Sequence, residues 1–296
     1  MTTDLDTLLT ALYVEIADHV VPARPVRPGA FTPKLTDAEL VCLAVAQVLL
    51  GFSSEHRWLR FAYGRLGRLF PHLPKQPGYN KRLRRAEPLL RKAIVHLASR
   101  APSWCDELWL ADSTPLPCAA SRQTVQRSDL VGEAGYGYCA SHSRFFWGFR
   151  LYLICAGDGM PIMWALANPK IGEREVVAAM LDRDAHLIRA GQLILADKGF
   201  AGREFDAFVT GLGAQLLRPD RRDESSRHGD LGGVRQWIES VNDTLKGQLS
   251  LEEHGGRTLT GVVVRVAQRL LAMAAAIWHN WATNQPHKRS LTAYDH

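Results

Sequence analysis

Three acidic residues stand where chemistry could use them. Asp112 closes the apolar run Leu108-Trp109-Leu110-Ala111, and Asp197 closes Leu193-Ile194-Leu195-Ala196. Short apolar runs of this kind read as buried strands. In α/β sheets, functional groups gather at the carboxyl ends of strands. Set on neighbouring strands, two carboxylates repel unless a proton or a cation sits between them. A single aspartate so placed is as readily a turn former or a helix cap; two, at the ends of matching runs, shift that balance. The third acid, Glu239, lies four residues after Arg235 and seven before Lys246. At 3.6 residues per turn the three share one helix face. That face reads in two ways. It is a solvated Arg–Glu pair adding a few tenths of a kcal/mol, or it brings a third hard oxygen ligand across the strand ends. In the second reading Arg235 and Lys246 flank an anionic substrate.

The elements that must position these acids follow from pattern. Residues 145–156 and 160–167 read as strands joined by the turn Gly157-Asp158-Gly159, a hairpin signal. Helices are expected over 173–190, 204–210, 234–246 and 258–281, and a last short strand over 214–217. Strands interleaved with helices make this half of the chain mixed α/β. The first hundred residues read as helical. Thr36-Asp37-Ala38-Glu39 is a capping box before an apolar run, Gly51 can end that helix, and Ser53 or Ser54 can cap the next. Helix, glycine turn and a helix bearing Arg57 and Arg60 resembles a helix-turn-helix, a weak signal. Asn80 is expected to cap a third helix whose first turns hold Lys81, Arg82, Arg84 and Arg85. The division implied is a helical, basic domain over 1–100, an α/β domain over 101–285 and a polar tail over 286–296.

Composition narrows the classes. The chain has 296 residues, 46% hydrophobic and 22% charged, which excludes global disorder. Five scattered cysteines without Cys-x-x-Cys spacing argue against a disulfide scaffold or a zinc site and for buried thiols in a reducing cytoplasm. The start of the chain lacks the basic residues of a signal peptide, and the longest strictly apolar run, 270–278, is too short for a bilayer, so no membrane partner is expected. The net charge of +6 lies wholly in the first third: residues 57–92 hold eleven basic residues against Glu87 alone. A stretch so poorly compensated attracts a polyanion; the alternative is a solvated helix face.

Taken together, these residues resemble a bacterial insertion-sequence transposase of the Asp-Asp-Glu class. Leu110-Ala111-Asp112-Ser113, with Pro115 and Pro117, resembles its first-aspartate motif. Tyr138-Cys139-Ala140-Ser141 with Phe146-Trp147-Gly148-Phe149-Arg150-Leu151 resembles the second-strand motif, with Arg150 where relatives usually carry Lys. Asp158-Gly159-Met160-Pro161 fits the hairpin that follows. Leu195-Ala196-Asp197-Lys198-Gly199-Phe200 resembles the second-aspartate motif, with Phe in place of the usual Tyr. Arg235, Glu239 and Lys246 fit an Arg-x3-Glu-x6-Lys signature; Gly232 stands where some relatives have Tyr. His254-Gly255-Gly256-Arg257-Thr258 also has its counterpart. Each piece is weak, and the ordered set is strong.

The resemblance implies a ribonuclease-H-like mixed sheet flanked by helices, behind an all-helical DNA-binding region. It implies that Asp112, Asp197 and Glu239 hold two Mg²⁺ ions, with Mn²⁺ a substitute. Such a site hydrolyses a DNA phosphodiester at the element end to leave a 3′-hydroxyl, then joins that end to target DNA. Arg235, Lys246 and Arg150 would contact phosphates, and Lys81, Arg82, Arg84, Arg85, Arg57 and Arg60 would grip the terminal inverted repeats of double-stranded DNA. Two ends must meet, so a homodimer on DNA is expected, in the cytoplasm at the nucleoid. Three other classes stay open: a metal-dependent nuclease on the same fold that cuts without joining, a DNA-binding relative without catalysis, and a glycosidase using Asp112 and Asp197 as its acid pair. The last gives no reason for the basic N-terminal third.

Overall fold

The computed structural model describes residues 4–22, 33–139, 143–219, 231–286 and 291. The arginine-rich loop after residue 219, Ala140 and Ser141 of the second-strand motif, and nearly all of the C-terminal tail lie outside the described residues.

Five helices come first: α1 (Leu5–His19), α2 (Asp37–Leu49), α3 (Glu55–Arg65), α4 (Gln76–Arg85) and α5 (Glu87–Arg100). The capping box of Thr36 and Glu39 starts α2, and Ser54 caps α3. Gly51 takes φ +70°, a left-handed conformation open to glycine at little cost. Asn80 does not cap a helix. It sits inside α4, where Pro77 occupies the first turn, and its amide reaches Glu55 Oε1 at 2.8 Å.

The sheet follows. Its strands are β1 (Leu108–Ala119), β2 (Gly135–Cys139), β3 (Arg144–Ala156), β4 (Pro161–Ala167), β5 (Leu193–Leu195) and β6 (Gln215–Leu217). Between and after them run α6 (Arg122–Gln126), α7 (Glu173–Arg183), α8 (Arg203–Gly211), α9 (Gly232–Gly247) and α10 (Leu259–Ala282). The strand order is β2-β3-β1-β5-β6. One edge of the long β3 takes β1; the other takes β2 near its start and β4 near its end. Strands β1, β3 and β4 run antiparallel, whereas β5 and β6 are parallel to β1. This is a ribonuclease-H-like mixed sheet with flanking helices and a helical N-terminal region, as expected.

Two further elements differ from the sequence reading. β1 does not end at Asp112 but runs on to Ala119 through Pro115 and Pro117. A proline cannot donate to a ladder and is tolerated where a strand has an open edge. β1 has one beyond Leu110, because β5 pairs it only over Leu108–Leu110. The helix from Glu173 stops at Arg183 rather than residue 190 and gives way to a single 3₁₀ turn, Ala185–Leu187. Gly148, opposite the irregularity between Pro117 and Ala119, has no room for a Cβ: the Leu116 carbonyl stands in its place.

One apolar core runs from Leu5 to Leu291. The helix α10 is its axis, packing on α5, α2, α1 and β4. It is long and apolar enough to cross a membrane, yet 78% of its most apolar window is buried inside the protein. Several polar groups on α10 find partners, whereas the buried Asn280 side-chain amide has none among the described residues. Arg265 pairs with the buried Glu55 of α3, and Glu55 also accepts from Gln76 at 2.9 Å. Gln268 reaches Ala44 O and Gln47, which in turn accepts from the buried Tyr79 hydroxyl at 3.0 Å. The basic helices α3 and α4 are thereby fixed to the last helix of the chain, and the packing is continuous across residue 101. Cys42, Cys139 and Cys155 are buried, while Cys105 is exposed.

The loop before α10 ties back to β1. His254 is 4% exposed, and its Nε2 lies 3.2 Å from Pro117 O. Gly256 N–H donates to His254 Nδ1 at 3.0 Å. One ring nitrogen donates and the other accepts, so the imidazole is neutral. Burial pushes its pKa down to about 4 from 6.5. Protonation therefore favours the unfolded chain. The stabilisation from neutral His254 is fully present above pH 6.5 and is lost as pH falls toward 4, about 3 kcal/mol in all. Urea unfolding between pH 7 and pH 4 should show this slope, and His254→Gln should flatten it. An unchanged slope in the variant assigns the acid sensitivity to other groups.

Candidate active site

The two aspartates are set by the strand register. In the parallel pair β1–β5, Leu110 is the partner of Leu195. Asp112 and Asp197 each stand two residues further on, at equivalent height, and an even step returns each to the side its leucine occupies. Beyond this level the strands separate. Asp197 is extended (φ −71°, ψ 160°), and its carboxylate accepts from Lys198 N at 2.6 Å to start the 3₁₀ turn Lys198–Phe200. Phe200, 1% exposed, anchors that turn in the core. The turn leads the chain away from β1, and a cleft of about 450 Å³ opens there.

Helix α9 closes one side of this cleft. Ile238, Val241 and Leu245 are buried, whereas Glu239, Asn242, Asp243 and Lys246 line the cleft with Asp112 and Asp197. The helical spacing that unites Glu239 and Lys246 thus serves the place where β1 and β5 cease to pair. Asn242 Nδ2 donates to Asp112 Oδ2 at 2.9 Å, joining helix to strand. Lys246 Nζ stands 4.0 Å from Glu252. The backbone of Arg235 belongs to α9, but its side chain lies outside what the structure describes.

Arg150 and Glu173 also line the cleft. Arg150 is already engaged: its guanidinium meets Glu173 Oε1 at 2.9 Å, Ser113 Oγ at 3.0 Å and Tyr138 O at 2.9 Å. Glu173 is a carboxylate that sequence reasoning missed. At the first position of α7, beside Glu175, it reads as an ordinary helix-dipole acid. Only the fold shows that this helix end abuts Ser113. Tyr152 has its hydroxyl pKa pushed up to about 12, by burial first and by Glu173 second.

The described lining is acidic, with Asp112, Glu173, Asp197, Glu239 and Asp243 against Arg150 and Lys246. Both cations are paired to carboxylates. Among the described residues, no three His, Cys, Asp or Glu side chains converge as a ready-made metal cage. A larger cavity of about 760 Å³ lies at the end of β1, between α6 and the loop before α10. It contains none of the three acids, so its size does not make it the reactive centre.

The profile of the family described as Transposase DDE domain matches residues 103–275, well over half the chain. The protein belongs to this family of transposases. Among solved structures, it is similar to piggyBac transposase in a cryo-EM synaptic complex with hairpin DNA. The identity is 10% and the TM-score 0.41, over 99% of this chain and 77% of that one. So slight a likeness supports no argument. No curated protein matches the sequence.

In this transposase the basic residues of the N-terminal third divide in two. Arg57, Arg60, Lys81, Arg84 and Arg85 are exposed. Arg82 is not available in the same way: it donates to Leu35 O at 2.6 Å and to Asp37 at 2.8 Å, bracing the start of α2. Arg91, in the same basic stretch, lies 3.6 Å over the Trp164 ring and pairs with Glu87, joining α5 to β4. Sequence counts such residues as free charge; the fold uses them as packing.

Proposed function

We propose that the protein is an active transposase that binds the ends of an insertion sequence, cuts there and joins the freed end to target DNA. Its centre is Asp112, Asp197 and Glu239. The observation that carries this reading is that Asp112 and Asp197 each stand two residues past the last β1–β5 pair and line one cleft with Glu239 of α9. The donor chemistry fits divalent cations. Carboxylate oxygens suit Mg²⁺ or Mn²⁺, and an excess of acids over cations in one cleft favours a positive ion. Two such ions, when bound, activate the attacking oxygen and stabilise the leaving oxygen of an in-line phosphoryl displacement.

The protein's own groups do the rest. Asp112 and Asp197 line the cleft from the two strands, and Glu239 lines it from the helix. Water attacks phosphorus at the element end, the P–O3′ bond breaks, and a 3′-hydroxyl is left. That hydroxyl then attacks a target phosphodiester in the same way, with no covalent protein–DNA link. Lys246 and Arg235 take phosphates beside the centre. Arg150 does so once a phosphate competes with Glu173 for its guanidinium. The exposed Arg57, Arg60, Lys81, Arg84 and Arg85 grip the terminal repeats, and a homodimer brings two ends together.

Two tests separate catalysis from binding. Asp112→Asn, Asp197→Asn and Glu239→Gln should each abolish nicking and strand transfer on labelled element-end DNA, with DNA affinity unchanged. Melting temperatures should hold or rise, because each change relieves repulsion among neighbouring acids. Full activity in Glu239→Gln would remove it from the centre and make Asp243 the next candidate. The second test replaces Lys81, Arg84 and Arg85 together by Ala. Each lost phosphate contact should reduce the slope of log affinity against log salt by about 0.9. Arg82→Ala should instead cost stability. An unchanged slope in the triple variant would mean that α4 is a solvated face.

A further inference from the structure

We infer that Asn242 is a positioning residue: it orients the Asp112 carboxylate for a divalent cation and sets the distance between Asp112 and Glu239. The inference rests on the reading of the three acids given above.

The geometry is specific. Asn242 lies three residues after Glu239 and four before Lys246, on the cleft-facing side of α9. Its Nδ2 is 2.9 Å from Asp112 Oδ2. An ionised carboxylate only accepts, so the amide must present its NH₂ group there. The hydrogen bond joins the helix that carries Glu239 to the strand that carries Asp112, one helical turn from Glu239. The rest of the cleft face of α9 offers Glu239 and Asp243, which repel Asp112, and Lys246, which stands against Glu252. On the buried face of α9, Ile238, Val241 and Leu245 contribute non-directional packing. Asn242 adds the directional tie.

The residue type matters as much as the place. A lysine or arginine at 242 would also bond Asp112, but its charge would take the cation's role and lower the site's affinity. An aspartate would add repulsion. A neutral donor fixes the direction of one oxygen and leaves the negative charge in the cleft. Partners that orient a ligating carboxylate in this way typically hold 10- to 100-fold in metal affinity.

The test uses the full chain without DNA, titrated with Mn²⁺ by calorimetry. Asn242→Leu keeps the number and branching of the side-chain heavy atoms and removes the donor; Asn242→Ala favours the helix and decides the matter if the leucine variant does not fold. Gln236→Ala, at an exposed position of α9 away from the cleft, is the control. The folded Asn242 variants should bind Mn²⁺ about tenfold or more weakly, with cation-free DNA binding unchanged, while the control matches wild type. Wild-type Mn²⁺ affinity in a folded Asn242 variant overturns the inference and leaves the acids' role standing. No Mn²⁺ uptake by the wild-type chain overturns the reading of the acids, and this inference with it.

Discussion

The site depends on a parallel pairing that stops early. Leu108–Leu110 of β1 and Leu193–Leu195 of β5 pair in register, and beyond them the strands separate. Pairing holds the two chains at strand spacing, and separation opens the cleft. Both aspartates stand two residues past the last pair, so one constraint gives them equal height and a shared opening. Had β5 continued beside β1, Asp112 would lie in a closed sheet. The turn that ends β5 is built by Asp197 itself, whose carboxylate caps Lys198–Phe200. The same residue therefore shapes the cleft and lines it.

The remaining architecture holds that opening against the helices. α9 meets β1 through buried aliphatic side chains and through Asn242. α10 carries the load between the two halves of the chain. Arg265 and Glu55 form a buried ion pair, and breaking one partner of such a pair leaves an uncompensated charge in the core. This pair stands between α10 and the first turn of α3, so the basic surface of α3 and α4 has a fixed relation to the sheet. His254 adds a neutral tie from the α10 loop to the far end of β1. DNA gripped by the helical region would be presented to the cleft by a rigid scaffold rather than by a tethered module.

Much of this was legible because strong local signals agreed with the fold. Apolar runs ending in aspartate marked where the pairing of β1 with β5 stops, and the spacing of Glu239 and Lys246 marked one helix face. The capping box at Thr36 and the glycine turn at 157–159 were equally local. What failed was tertiary. The apolar run stops at Asp112, so β1 read as ending there; its continuation through Pro115 and Pro117 uses an open strand edge that cannot be read from sequence. Asn80 looked like a cap, but its partner, Glu55, is distant in the chain. Arg82 and Arg91 counted as free charge until packing gave them Asp37 and Trp164. Glu173 and Asn242 carry no sequence signal at all; each became relevant only when the fold brought it against β1.

The central claim is that the equal register of Asp112 and Asp197 builds a divalent-cation site completed from α9. Anomalous diffraction from crystals soaked in Mn²⁺ tests it most directly. The account predicts anomalous density between the Asp112 and Asp197 carboxylates, with Glu239 drawn toward it. Saturating Mn²⁺ that leaves no density between those carboxylates, or that places it on other acids of the cleft, would contradict the account.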